Sequence, residues 1–99
     1  MQILKIHDSH VTESLKERGI VIIRGRRAFS PGPMQIQSEI DETKFLEVDA
    51  KSVMVKPLRE LDAHEAFAEG FREIDDAKRL VKRNNNITDE SDNITIIRW

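Results

Sequence analysis

AFAEGFREIDDAKRL, residues 66–80, sets a glycine at position 70 inside a run that otherwise favours helix. An interior glycine costs a helix about 1 kcal/mol relative to alanine. Glycine also reaches backbone angles that other residues resist, so the run reads as two helices joined by a sharp corner. Phe71, just past the corner, is placed to plug a core, and Glu69, just before it, to stand on the cleft side. Upstream, Asp62 is a candidate N-cap with Glu65 three residues on, the spacing of a capping box. Downstream, Ile74, Ala77, Leu80 and Val81 recur at helical spacing, and Asn84–Asn86 suit a left-handed exit.

Around this split helix the chain reads mostly as strand. Residues 2–6 (QILKI) predict a short strand, and residues 7–19 a helix capped by Ser9 or Thr12 and stopped by Gly19. Ile20–Ile23 are four consecutive β-branched residues, which predicts a strand with both faces buried that runs into Arg24, Arg26 and Arg27. Pro31-Gly32-Pro33 predicts a surface loop rather than a ladder. Residues 34–40 and 44–58 predict two strands joined by a short turn. In the second, Phe45, Val53 and Val55 fall in one phase and Leu46 and Val48 in the other, which predicts a bulge near Asp49-Ala50. Residues 93–99 (NITIIRW) predict a closing strand, with Trp99 sealing the barrel. Strands thus dominate and helices decorate, so the expected class is α+β in a single domain, residues 1–99: a small, partly closed β-barrel with the split helix inserted before the C-terminal strand.

Composition bounds the function. The chain has 99 residues, 38% hydrophobic and 34% charged, with no cysteine, so disulfides and thiolate chemistry are excluded. Sixteen Lys and Arg oppose eighteen Asp and Glu, a net charge of −2, which disfavours broad attraction to duplex DNA. No apolar run approaches a membrane span and residues 1–10 do not read as a secretory signal, so a cytoplasmic protein is expected. The two Asn-x-Thr patterns, at Asn86 and Asn93, then carry no glycosylation. His7 and His10 with Asp8 form too small a cluster for a metal site, and no P-loop, dinucleotide fingerprint or Ser/His/Asp arrangement is present, so no metal or cofactor is expected.

The basic residues carry the positive signal. Arg24, Arg26 and Arg27 cluster beside Phe29, and a guanidinium fork matches two phosphate oxygens while an exposed ring can stack a base. Lys56 and Arg59 precede the split helix and are placed to face the same cleft. Lys78, Arg79, Lys82 and Arg83 read as a solvated helix face, diluted by Asp75 and Asp76.

The order Pro-Leu-x-x-Leu (57–61), short helix, Glu69-Gly70-Phe71, amphipathic helix, polar loop and final apolar strand resembles the ASCH domain, a branch of the PUA-like superfamily. The resemblance is best over residues 53–99. It implies a PUA-like barrel, an acidic side chain at the Glu-Gly-Phe corner directed into a cleft, and binding of RNA or a nucleotide-like ligand there. Taken with the basic cluster read above, it makes Arg24, Arg26, Arg27, Phe29, Lys56 and Glu69 the candidate ligand residues. The family usually carries Gly-x-Lys-x-x-(Glu or Thr)-x-Arg on the first barrel strand. Aligning the final Arg with Arg24 puts Glu17, Gly19 and Ile22 at the Gly, Lys and Glu/Thr positions. Aligning Gly19 with the Gly puts Val21, Arg24 and Arg26 at the other three. Both registers lose the Lys. Bacterial members that hydrolyse N4-acetylcytidine use Lys, Thr and Glu together, and only Glu69 has a match here. Binding therefore ranks above an amidohydrolase acting through Glu69, and a ligand-free protein-interaction module whose charged outer helix meets a partner is the third reading.

Overall fold

The computed structural model describes residues 1–68 and 70–99. It has the expected α+β class. Six strands, β1 (Gln2–Ile6), β2 (Ile20–Arg24), β3 (Gly32–Ser38), β4 (Phe45–Ala50), β5 (Ser52–Pro57) and β6 (Asn93–Arg98), accompany three helices, α1 (Glu13–Arg18), α2 (Ala63–Ala68) and α3 (Ile74–Asn85). The strands form two three-stranded sheets, ordered β1-β3-β4 and β2-β6-β5. β1 runs parallel to β3 and the other neighbours are antiparallel. Among the described residues no ladder joins the two sheets into a closed barrel.

The reading of β2 as doubly buried holds, and it fixes the layers. Val21 and Ile23 point into a cluster shared with Leu4, Met34, Ile36, Leu46 and Val48 of the other sheet. Ile20 and Ile22 point the opposite way, into a cluster with Leu58, Leu61, Ala66, Ala77 and Val81. The β2-β6-β5 sheet is therefore the middle layer, with the β1-β3-β4 sheet on one face and α2 and α3 on the other.

Local signals set the helices. Thr12 accepts from the Leu15 N–H at 3.2 Å, and Gly19 closes α1 at φ +75°. Asp62 and Glu65 form the reciprocal capping box, with bonds of 2.9 and 3.1 Å. Gly70 sits at φ +90° between α2 and α3, and Asn86 ends α3 in the left-handed region at φ 53°. Trp99 is half-buried, and its indole N–H donates to the Lys16 carbonyl at 2.9 Å.

Three expectations are corrected. The ladder begins at Gly32, inside the Pro31–Pro33 segment, because Pro33 faces Asp49 of β4 one residue before β1 starts pairing at Met34, so its missing N–H leaves no gap. The phase change near Asp49-Ala50 is a switch of sheets: β4 pairs with β3, β5 pairs with β6, and only Lys51 lies between them. Phe45, assigned to the apolar side, is 43% exposed, because Leu46, Val48 and Ala50 take the inner face. No helix among the described residues is long and apolar enough to cross a membrane.

Candidate ligand groove

Where β2 ends, three interactions fix the basic segment. The Arg24 N–H turns away from β6 and donates to Asn85 Oδ1 at 3.2 Å, while Asn85 Nδ2 donates to the Val81 carbonyl at 3.0 Å. Thr95, fully buried in the adjacent strand, donates its hydroxyl to the Gly25 carbonyl at 2.6 Å and accepts the Arg27 N–H at 3.0 Å. The Arg27 guanidinium lies 5.8 Å from the centroid of the Phe29 ring, a cation–π distance. Phe29 itself is half-buried against the inter-sheet core. It supports Arg27 and does not stand free as a stacking platform.

Arg24 and Arg27 both line a groove of about 670 Å³. Its walls come from β1 (Lys5, Ile6) and His7, from Leu15 and Arg18 of α1, from β2, and from Leu80, Val81 and the Asn84–Asn86 exit of α3, with Phe71 behind the corner. Among the described residues, four cationic side chains, Lys5, Arg18, Arg24 and Arg27, line it against one carboxylate, Glu39. Lys5 also lies 3.5 Å from Glu42, whereas Arg24 and Arg27 make no ion pair among the described residues. Apolar side chains, Ile22, Ile23, Leu80 and Phe71 among them, share the lining with these polar groups. His7 and His10 stand at one end with ring centroids 5.7 Å apart. Among the described residues no group of three His, Cys, Asp or Glu is arranged to hold a metal ion.

The other expected site residues fall elsewhere. Arg26 is exposed and does not line the groove, because it sits between Gly25 and Arg27, which Thr95 holds. Lys56 shares the row and sheet face of Arg24, since both pair with Ile94; two strand spacings put them about 10 Å apart. Lys56 is nonetheless committed: its ammonium bonds the buried Glu65 carboxylate and lies 3.7 Å from Asp62 Oδ2. Asp62 is held below the usual carboxylate range chiefly by the Glu65 backbone N–H that caps onto it. Beside this pair a hollow of about 90 Å³ is lined by Met54, Ile96 and Arg98 among others, and Glu65 Oε2 has no hydrogen-bond partner among the described residues. Glu69 lies outside the described residues. On the outer face of α3, Lys78 and Lys82 share Glu90 at 3.6 and 3.0 Å and Arg79 pairs with Asp76 at 3.2 Å, so three of the four basic side chains there are held in ion pairs.

Lys5, Arg18 and Phe71 were not read as groove residues from the sequence, and neither were the two positioning side chains, Asn85 and Thr95. Thr95 is 68 residues from Arg27, and nothing local to either marks the pairing. Comparison with known proteins gives no match: no family model, curated protein or solved structure aligns significantly with the chain.

Proposed function

We infer that the groove binds a nucleotide-like ligand or a short single strand of RNA, as a binding module. One observation carries this reading: Arg24 and Arg27, without acidic partners among the described residues, meet on a groove that Ile22, Ile23, Leu80 and Phe71 also line. Guanidinium groups bind phosphate oxygens in pairs, and an aromatic ring in the lining, here Phe71, can take the face of a base. Arg27 arrives pre-oriented by Phe29 and Thr95, so binding orders little further. Glu69, two residues before Phe71, would supply the acceptor for an exocyclic amine or ribose hydroxyl. The same reading takes the fold as an ASCH-like, PUA-like barrel left open between β1 and β2.

The test is fluorescence anisotropy with labelled single-stranded RNA and with nucleotides, from 50 to 200 mM salt. A charge-assisted hydrogen bond contributes about 1.5–3 kcal/mol, so Arg24→Ala with Arg27→Ala should weaken binding at least 100-fold. Removing one arginine from a phosphate should flatten the log–log salt slope by about 0.7. Unchanged affinity in the double variant would refute the reading.

A further inference from the structure

β2 has a second chemical face, its main chain. The strand lies at the edge of its sheet. Its hydrogen-bond phase follows from its two ends: Trp99 N–H donates to the Gly19 carbonyl at 3.0 Å, and Gly25 N–H to the Asn93 carbonyl at 2.8 Å. Antiparallel pairing alternates, so Val21 and Ile23 bond β6, and Ile20, Ile22 and Arg24 direct their N–H and C=O away from it. Arg24 obeys this phase, since its N–H reaches Asn85. Ile22 is only 8% exposed and lines the groove, and its outward N–H and C=O have no partner among the described residues. Buried main-chain groups without partners are costly. Natural sheets blunt or cover such edges, and here, among the described residues, only Arg24 carries a cap. Across the groove stands β1, the edge strand of the other sheet.

We propose that the β2 edge takes up an extended acidic peptide, paired through its main chain at Ile22 and the Arg24 carbonyl, and that this strand excludes the nucleotide-like ligand from the groove. In antiparallel pairing, a residue that presents an N–H and a C=O in one direction is matched by one residue of the other strand, which returns both bonds. β2 spans five residues, about 17 Å of edge, enough to order a short segment. Charge selects the occupant: among the described residues Arg24 and Arg27 make no ion pair and Glu39 is the one carboxylate in the lining, so acidic side chains are drawn to the rim and basic ones repelled. The Asn85 cap on Arg24 blocks pairing at that N–H, which fixes the register. The exclusion rests on the function proposed above, and the pairing does not.

The experiment uses ¹⁵N-labelled protein and an acetylated, amidated heptapeptide of alternating Glu and Val. A copy N-methylated at alternate residues and a Lys/Val copy serve as controls, with labelled single-stranded RNA as competitor. The acidic peptide is expected to shift the Ile22 amide resonance and slow its hydrogen exchange at least tenfold. N-methylation should weaken binding tenfold or more, the Lys/Val copy should not bind, and bound RNA should be displaced. An acidic peptide that binds as well when N-methylated, or leaves Ile22 exchange unchanged, overturns the pairing. RNA binding with no peptide binding overturns this inference alone. Peptide pairing without any RNA binding supports the edge and overturns the nucleotide reading and the exclusion with it.

Discussion

Lys56→Met should strip the buried Glu65 carboxylate of its counter-charge and cost about 3–5 kcal/mol, the usual penalty for breaking a buried pair from one side. The burial justifies that range: the Glu65 side chain is 5% exposed and the Lys56 side chain 16%. Glu65 would keep one bond, from the Asp62 N–H at 3.1 Å. Glu65→Leu removes the charge but also that acceptor, so it should cost about 1–3 kcal/mol. The double variant discards both charges, and its loss should fall well short of the sum, leaving a coupling of at least about 2 kcal/mol. Total stability for a domain of this size is about 5–15 kcal/mol, so Lys56→Met alone removes a large share. Urea titration followed by Trp99, the sole tryptophan, reads the effect. With m near 1–3 kcal/mol/M, the Lys56→Met midpoint should drop by about 1–5 M. A drop under about 0.5 M, or strict additivity in the double variant, would show that the pair is solvated and that α2 is not anchored to β5 through it.

Thr95→Val, nearly isosteric, leaves the Arg27 N–H and the Gly25 carbonyl without their partner. It should cost about 1–3 kcal/mol in urea and raise hydrogen exchange at Arg27; unchanged exchange there would refute the stapling role. Gly19→Ala and Gly70→Ala both force alanine to positive φ, at about 1–2 kcal/mol each. Only at Gly19 does the new Cβ meet main chain, the Trp99 carbonyl oxygen at 3.0 Å, so Gly19→Ala should show the larger midpoint loss, and the reverse order would refute the geometry. Asp8, bonded by the Ser38 hydroxyl and then by Lys44, and Glu90, bonded by Lys82, are both held below the ordinary carboxylate range. Groups depressed on folding contribute above their unfolded values, near 4, and that contribution disappears as pH falls through the folded values. Urea midpoints should therefore hold from pH 7 to about 5 and decline below about 4; a midpoint that rises on acidification would refute this.

What the sequence disclosed was local chemistry. Thr12 and Gly19 frame α1, Asp62 and Glu65 cap α2, and Asn86 exits α3, each because one side chain or one backbone angle acts within four residues. The β2 run disclosed its two buried faces through composition alone. The sheet switch at Lys51 did not show, because a reversal of inside and outside looks the same whether the strand bulges or changes partner. The basic cluster was legible as a cluster, but its division was not: Thr95, distant in sequence, turns Arg27 into the groove and leaves Arg26 outside. Lys56 looked available because the capping box accounts for Glu65 by itself, and a third partner on a neighbouring strand leaves no mark in the spacing.

The place of the groove follows from connectivity. Two three-stranded sheets have four edges, here β1, β4, β2 and β5. β4 and β5 are joined by the single residue Lys51, so that seam is held shut by the chain itself. β1 and β2 are joined by residues 7–19, thirteen in all, which include a one-turn 3₁₀ helix at Asp8–His10 and α1. Among the described residues no ladder joins β1 to β2, and His7, His10, Leu15 and Arg18 of this connection line the space between them. The open seam therefore falls between β1 and β2. Because β2 is apolar on both faces, inward-pointing charge cannot blunt its edge, and cations can enter only at its end, where Arg24 stands. A main-chain edge at the wall, apolar side chains in the lining and guanidinium groups at one end thus come together from the one-residue link that joins β4 to β5 and the composition of β2.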